Sequence, residues 1–236
     1  MTRTLWPRLV QVLLVLALPV FLLAADLRIV TGHWFVRWEY GKADFPPDPY
    51  GLSAAERTHL AEVCVDYLAT NAPLSFLADL RLPGGEPAFN ARELRHMADV
   101  QAVYSRMIVA GIVAAVVLVA GMAVLLVSSD TRRRVPAALL SGAWLTLGLL
   151  GAVGVYMALS WESFFTWFHQ LFFEGDTWTF PYSDTLIRLF PMEFWIDVAV
   201  VIVSVLVVGT LIVGAVGWVW RRREDCGTRM HADKRG

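Results

Sequence analysis

Four long apolar runs dominate the pattern of the chain: Leu9 to Ala25, Met107 to Val127, Val135 to Leu159 and Phe194 to Trp220. A helix needs about 20 apolar residues to cross a hydrocarbon core of about 30 Å. The pattern therefore predicts an all-α membrane protein, 1–236 forming a single membrane domain, with transmembrane helices over about 9–30, 105–128, 135–159 and 194–220. Polar intervals over about 31–104 and 160–193 separate helix one from two and helix three from four. The first run is short and contains Pro19, so a secretory signal peptide is the rival reading there. The sequence Ala24-Ala25-Asp26 does not offer a clean small-x-small cleavage site.

The polar intervals carry patterns of their own. Trp34, Phe35, Trp38 and Tyr40 read as an aromatic belt at the membrane boundary. The stretch from Asp44 to Gly51 is rich in proline and reads as a connector. Ser53-Ala-Ala-Glu56 is a capping box, and Leu60, Val63, Cys64, Tyr67 and Leu68 follow at helical spacing. That face must meet membrane or another element. Asn71-Ala-Pro73 ends this helix, and residues 74–82 read equally as a short strand or a surface turn. A second capping box, Asn90-Ala-Arg-Glu93, comes with a staple of Phe89 and Leu94. No breaker follows before Val127, which predicts one helix from an exposed start into the second span. Residues 161–173 are dense in aromatics but interrupted by Glu162, Ser163, Thr166, His169 and Gln170. They make a poor span and a good interfacial helix. The expected architecture is thus four transmembrane helices, a small extracytoplasmic cap between helices one and two, and an interfacial aromatic helix between three and four.

The position of charge sets the orientation. Arg3 and Arg8 precede the first run, Arg132 to Arg134 link the second and third, and Arg221 to Arg223 follow the fourth. All three groups belong on the cytoplasmic side, which leaves both chain ends inside and both long polar intervals outside. Composition agrees with a bilayer as solvent: 57% of the 236 residues are hydrophobic, 17% are charged and mean hydropathy is +0.54. The net charge of −1 gives no reason to expect nucleic acid. Cys64 and Cys226 fall on opposite sides, so no intrachain disulfide is expected.

Candidate chemistry is confined to the outer segments. In His96-Met-Ala-Asp99 the carboxylate lies three residues on, placed to orient the imidazole; the bland alternative is a surface contact. His169 sits among rings, where desolvation favours a neutral, basic imidazole; the bland alternative is a packed interface residue. His33 and His59 read as belt and solvent residues, and His231 as part of a basic tail. A metal site of His96, Asp99, His169 and Asp176 lacks any helical His pair or paired-cysteine motif, so no metal or other cofactor is expected. No Gly-x-Ser-x-Gly elbow is present. The spans lack charged residues at their centres, apart from Asp197 near the start of the fourth, which argues against a channel or coupled transporter. Gly148, Gly151 and Gly154 read as positions of close helix approach.

The order Tyr50-Gly-Leu-Ser, Asn90 to Glu93, His96-Met-Ala-Asp99-Val100, Phe168-His169-Gln170-Leu-Phe-Phe173, Trp178, Asp184-Thr-Leu-Ile187 and Phe190-Pro191 resembles the Lit family of bacterial four-span proteins, the lipoprotein intramolecular transacylases. The resemblance covers most of the chain. It implies that the sn-2 acyl chain of a diacylglyceryl-modified N-terminal cysteine moves to that cysteine's own α-amino group, giving a lyso-form lipoprotein. It also implies that His96 and His169 are the catalytic pair, with Asp99, Asp176, Trp178 and Asp184 in supporting or orienting roles. The expected partners are the lipoprotein substrate and membrane lipid, in the bacterial cytoplasmic membrane with the site on its extracytoplasmic face. Two other classes stay open: a non-enzymatic membrane scaffold that binds a protein, and an intermolecular acyltransferase or lipid hydrolase.

Overall fold

The second capping box shows how local chemistry starts the helix that runs from the cap into a span. In the computed structural model the Asn90 side chain accepts from the Glu93 N–H at 3.1 Å, and Glu93 Oε2 accepts from the Asn90 N–H at 2.7 Å. With those orphan donors satisfied, the helix runs without a break from Ala91 to Leu126. The structure describes residues 5–175 and 177–233, with side chains to residue 224. Asp176, one of the expected supporting residues, lies outside the described residues, as do the side chains of Cys226 and His231.

The described elements are helices: α1 Leu5–Val30, α2 His33–Tyr40, α3 Ala54–Thr70, α4 Ser75–Ala78, α5 Ala91–Leu126, α6 Ser129–Arg132, α7 Arg134–Leu159, α8 Trp161–Phe172, α9 Thr185–Leu189 and α10 Met192–Asp233. Four of them, α1, α5, α7 and α10, are long and apolar enough to cross a membrane. The protein is therefore an all-helical membrane protein with a small cap between its first two spans and an aromatic helix between its last two. The chain divides into two compact units.

The first unit comprises the chain up to Asp26, Val109–Val155 and the chain from Val203. Its core is Leu14, Leu18, Leu118, Leu125 and Val135, closed by the small residues Ala17, Ala114 and Ala138. Val109, Ile112, Val113, Val116 and Val119 form the opposite, exposed stripe of α5, the face expected to meet lipid. Close helix contact depends on Gly111, where a Cβ would overlap that of Ala24, and on Gly142, where it would lie 2.7 Å from Leu18 Cδ2. The glycines singled out in the sequence do not do this. A Cβ at Gly148, Gly151 or Gly154 would meet nothing within 4 Å, because spacing alone does not say which helical face is packed. Asp26 lies within α1, inside the span expected over about 9–30, and its side chain is 1% exposed, with no hydrogen bond among the described residues.

The second unit comprises Leu27–Ile108 and Tyr156–Ile202. The stripe on α3 finds a partner element rather than lipid: Leu60, Cys64 and Tyr67 pack with Leu186 and Leu189 of α9 and with Leu52, Leu77, Phe89 and Met97. The α3 capping box forms as predicted, and Asn71 ends the helix in the left-handed region at φ 54°. Residues 74–82 are neither simple alternative. They make the single turn α4, which buries Leu77 completely, and then a bridge between Arg81 and Pro87 around the turn at Gly85. The aromatic belt is also divided. Trp34 and Trp38 are about half exposed, whereas Phe35 is buried against Phe194.

Polar residues hold this unit together. Buried Arg57 donates to the carbonyls of Pro46 at 2.7 Å and Arg188 at 2.7 and 3.1 Å, and its guanidinium lies over Tyr40 and Phe45. Arg188 in turn makes a two-bond fork with Asp48 at 2.9 and 3.1 Å. Lys42, just after α2, bonds both Glu39 and Asp197 at 2.7 Å. Gln101 reaches from α5 to the carbonyls of Tyr67 and Ala72, which ties down the end of α3. His33, read in the sequence as a belt residue, pairs with Asp66 at 2.8 Å.

Candidate functional site

Two imidazoles from distant parts of the chain meet in the second unit. His96 stands one turn inside α5, three residues after the Glu93 cap. His169 lies in the last turn of α8, a helix whose start is capped by Ser160. Their ring centroids are 6.4 Å apart and the planes are inclined by only 20°.

Aromatic rings enclose the pair. Phe173 lies 4.9 Å from His96 and 5.6 Å from His169, and Phe180 closes the far side of His96 at 5.3 Å. Phe165, Phe168 and Trp178 surround His169 at 4.1, 5.5 and 4.9 Å. Burial among these rings pushes the His169 pKa below its ordinary value of 6.5, and the bond to the Phe165 carbonyl pushes it back in part. His169 is therefore neutral at pH 7.

One hydrogen bond decides which nitrogen of His169 is reactive. Nδ1 lies 2.7 Å from the carbonyl oxygen of Phe165. A carbonyl only accepts, so Nδ1 carries the proton and Nε2 keeps its lone pair. That leaves a base with a fixed tautomer. His96 is different: its Nδ1 is buried and has no hydrogen-bond partner among the described residues. The Trp178 indole N–H is likewise buried and unpartnered beside His169. An apolar enclosure with a free basic nitrogen and an unused N–H donor can take a proton and receive a developing negative charge.

The other expected residues stand as follows. Asp99 makes no hydrogen bond to His96 among the described residues; the His96 ring is turned into the phenylalanines instead. Asp184 caps α9 by position and lies 3.8 Å from the Arg92 guanidinium, which itself lies over Phe180. Sequence reasoning placed His169 among rings but missed Phe180, since nothing in the spacing pairs residue 180 of a turn with residue 96 of a helix. It also missed the second task of Glu93. Its Oε1 accepts the Leu186 N–H at 2.7 Å, so the carboxylate that starts α5 also holds α9.

Known proteins resemble this chain in sequence and in fold. The family model for the lipoprotein intramolecular transacylase Lit matches residues 11–195. The chain belongs to the Lit family. A protein of Aquifex aeolicus (strain VF5) is 32% identical over 190 residues, covering 80% of this chain and 84% of the relative. Among solved structures, the membrane integral lipoprotein intramolecular transacylase Lit from Bacillus cereus superposes with a TM-score of 0.77 at 21% identity, over 95% of this chain and 98% of that one. A histidine-to-arginine variant of the same Bacillus cereus protein gives 0.73 at 20% identity, over 94% of this chain and 95% of that one. At these identities the solved structures share the fold. The Lit family membership makes the protein an acyltransferase, a lipoprotein intramolecular transacylase.

Proposed function

We infer that His96 and His169 are the catalytic pair of this Lit-family protein and that the reaction proceeds inside one substrate molecule. The observation that supports this most is the free Nε2 of His169 in a ring-lined enclosure, 6.4 Å by ring centroid from a second imidazole.

The substrate is a lipoprotein whose N-terminal cysteine carries a diacylglyceryl group. Its α-amino group, with an ordinary pKa of about 7.7 to 8.0, must lose a proton before it attacks. In this reading that proton goes to water, and His169 Nε2 takes a second one from the neutral amine as its nitrogen bonds to the carbonyl carbon of the sn-2 ester. The carbonyl oxygen becomes an oxyanion, which accepts hydrogen bonds from His96 and from the Trp178 indole N–H. The intermediate collapses, the bond to the sn-2 glycerol oxygen breaks, and that oxygen takes the proton from His169. The products are an amide on the cysteine and a free glycerol hydroxyl. Nucleophile and ester belong to the same molecule, so the protein need only fold that molecule into an attack geometry, and proximity can supply several kcal/mol.

The arginine groups at the chain ends and in the link before α7 support a reading in which those segments lie on the cytoplasmic side of the bacterial inner membrane and the histidines at the extracytoplasmic face. Acyl chains of the substrate stay in the bilayer while its polar head reaches the histidines.

Mass spectrometry of lipoprotein N-terminal peptides tests this, from cells carrying the wild type, His96→Ala or His169→Ala. The wild type should conserve the acyl count while moving one chain to the amine, and either variant should leave the diacyl form. Loss of a chain would mean hydrolysis. Undiminished transfer by both variants would sink the assignment.

A further inference from the structure

We propose that the arginine-bearing ends of α1 and α7 form a binding site for one anionic phospholipid, with its phosphate on Arg8 and Arg134 and an acyl chain along Val12 and Leu16. The site lies wholly within the first unit and is independent of the histidines. A groove of about 470 Å³ is lined by Arg8, Gln11, Val12, Leu16, Arg134 and Ser141. That volume is within the range of small-ligand sites, about 300–1,000 Å³.

The chemistry of the groove is graded along its length. Two guanidinium groups stand at one end, followed by an amide and then by apolar side chains. Arg8 to Leu16 covers about 12 Å at about 1.5 Å per residue, enough to pass from headgroup depth into the hydrocarbon. Val12 and Leu16 are 52% and 55% exposed, so the apolar wall is open to a chain lying against it. A phospholipid has this same gradient. Free phosphate has only its first part.

Charge supplies the second argument. The three consecutive arginines after α6 begin are not used alike. Arg132 and Arg133 reach toward Glu224 at 3.6 and 3.8 Å. Arg134 turns the other way, and its Nη1 donates to the Gln11 side-chain oxygen at 2.9 Å. Glutamine is neutral, so this bond orients the guanidinium without compensating it. Among the described residues neither Arg134 nor Arg8 has a carboxylate partner. One donor of Arg134 is committed and the rest of its fork is available for the paired oxygens of a phosphate. The first turn of α7 begins at Arg134, and its dipole favours negative charge at the same place. A zwitterionic lipid brings its own cation and gains less from this arrangement, so the site should prefer a net-negative headgroup.

Native mass spectrometry of the full chain, purified in a neutral detergent, tests the site with three probes: phosphatidylglycerol, phosphatidylcholine and inorganic phosphate. The wild type should retain one phosphatidylglycerol with a preference of about tenfold over phosphatidylcholine. The double variant Arg8→Gln, Arg134→Gln should bring that preference to within about twofold. Leu16→Trp, which fills the groove and leaves both charges in place, should also lose the retained lipid, and it covers the case in which the double variant fails to fold. Equal retention of the two lipids overturns the proposal. So does undiminished phosphatidylglycerol on either variant, or binding of inorganic phosphate with no retained lipid.

Discussion

In the second unit Arg57 gives three N–H bonds to backbone carbonyls of two distant segments, whereas in the first unit the tightest helix contact exists because Gly111 has no side chain to put there. The difference follows from what surrounds each region. Around the cap, chain without regular structure leaves backbone carbonyls inside, and a guanidinium can satisfy several at once. Between membrane helices the backbone is already satisfied, lipid is as apolar as leucine, and association rests on how closely surfaces fit. A third kind of polar group stands apart from both. His96 Nδ1 and the Trp178 N–H are buried with no partner among the described residues, and they adjoin an imidazole whose tautomer is fixed.

The comparison breaks most visibly at Arg57. Arg57→Ala should cost about 3 kcal/mol by leaving buried carbonyls unpaired, and hydrogen exchange should rise in α3 and α9 while the amides of the first unit stay protected. Exchange rising equally throughout would mean that the units do not differ in the way described. Trp178→Phe keeps a ring beside His169 but removes the N–H. It should lower kcat on the order of 30-fold, about 2 kcal/mol, with little change in KM or in melting temperature. A fall confined to KM would make Trp178 a binding surface only. Gly111→Ala should cost about 1–2 kcal/mol in thermal unfolding, because the Ala24 Cβ opposite cannot rotate away. An unchanged melting temperature would show that α1 and α5 can separate freely. The smallest effect concerns pH. Burial lowers the His169 pKa, so Nε2 stays unprotonated to more acidic values than an ordinary histidine. The acid limb of kcat/KM should then fall first through the substrate amine, at about 7.7 to 8.0, and again through a second midpoint below 6.5, and a second midpoint above that value would contradict a dry site.

Much of this was legible in the order of residues. Span positions follow from runs of apolar residues, and both capping boxes form where Ser53 to Glu56 and Asn90 to Glu93 predict them, since these depend only on neighbours in the chain. The resemblance to a family, rather than spacing, pointed to His96 and His169 together. What escaped was long-range and polar. Arg57 meeting Pro46 and Arg188, Glu93 meeting Leu186, and Phe180 closing on His96 each join residues whose separation carries no period. The expected pairing of Asp99 with His96 illustrates the opposite error. Helical neighbours at i and i+3 can touch, but tertiary packing of the ring decided otherwise.

Glu93 has both carboxylate oxygens engaged, one at the start of its own helix and one at the start of α9. The segment that supplies the second contact is synthesised long after the first and just ahead of the last span. The start of α5 can therefore form as soon as its own residues are made, whereas the start of α9 finds its acceptor already waiting on a helix built earlier.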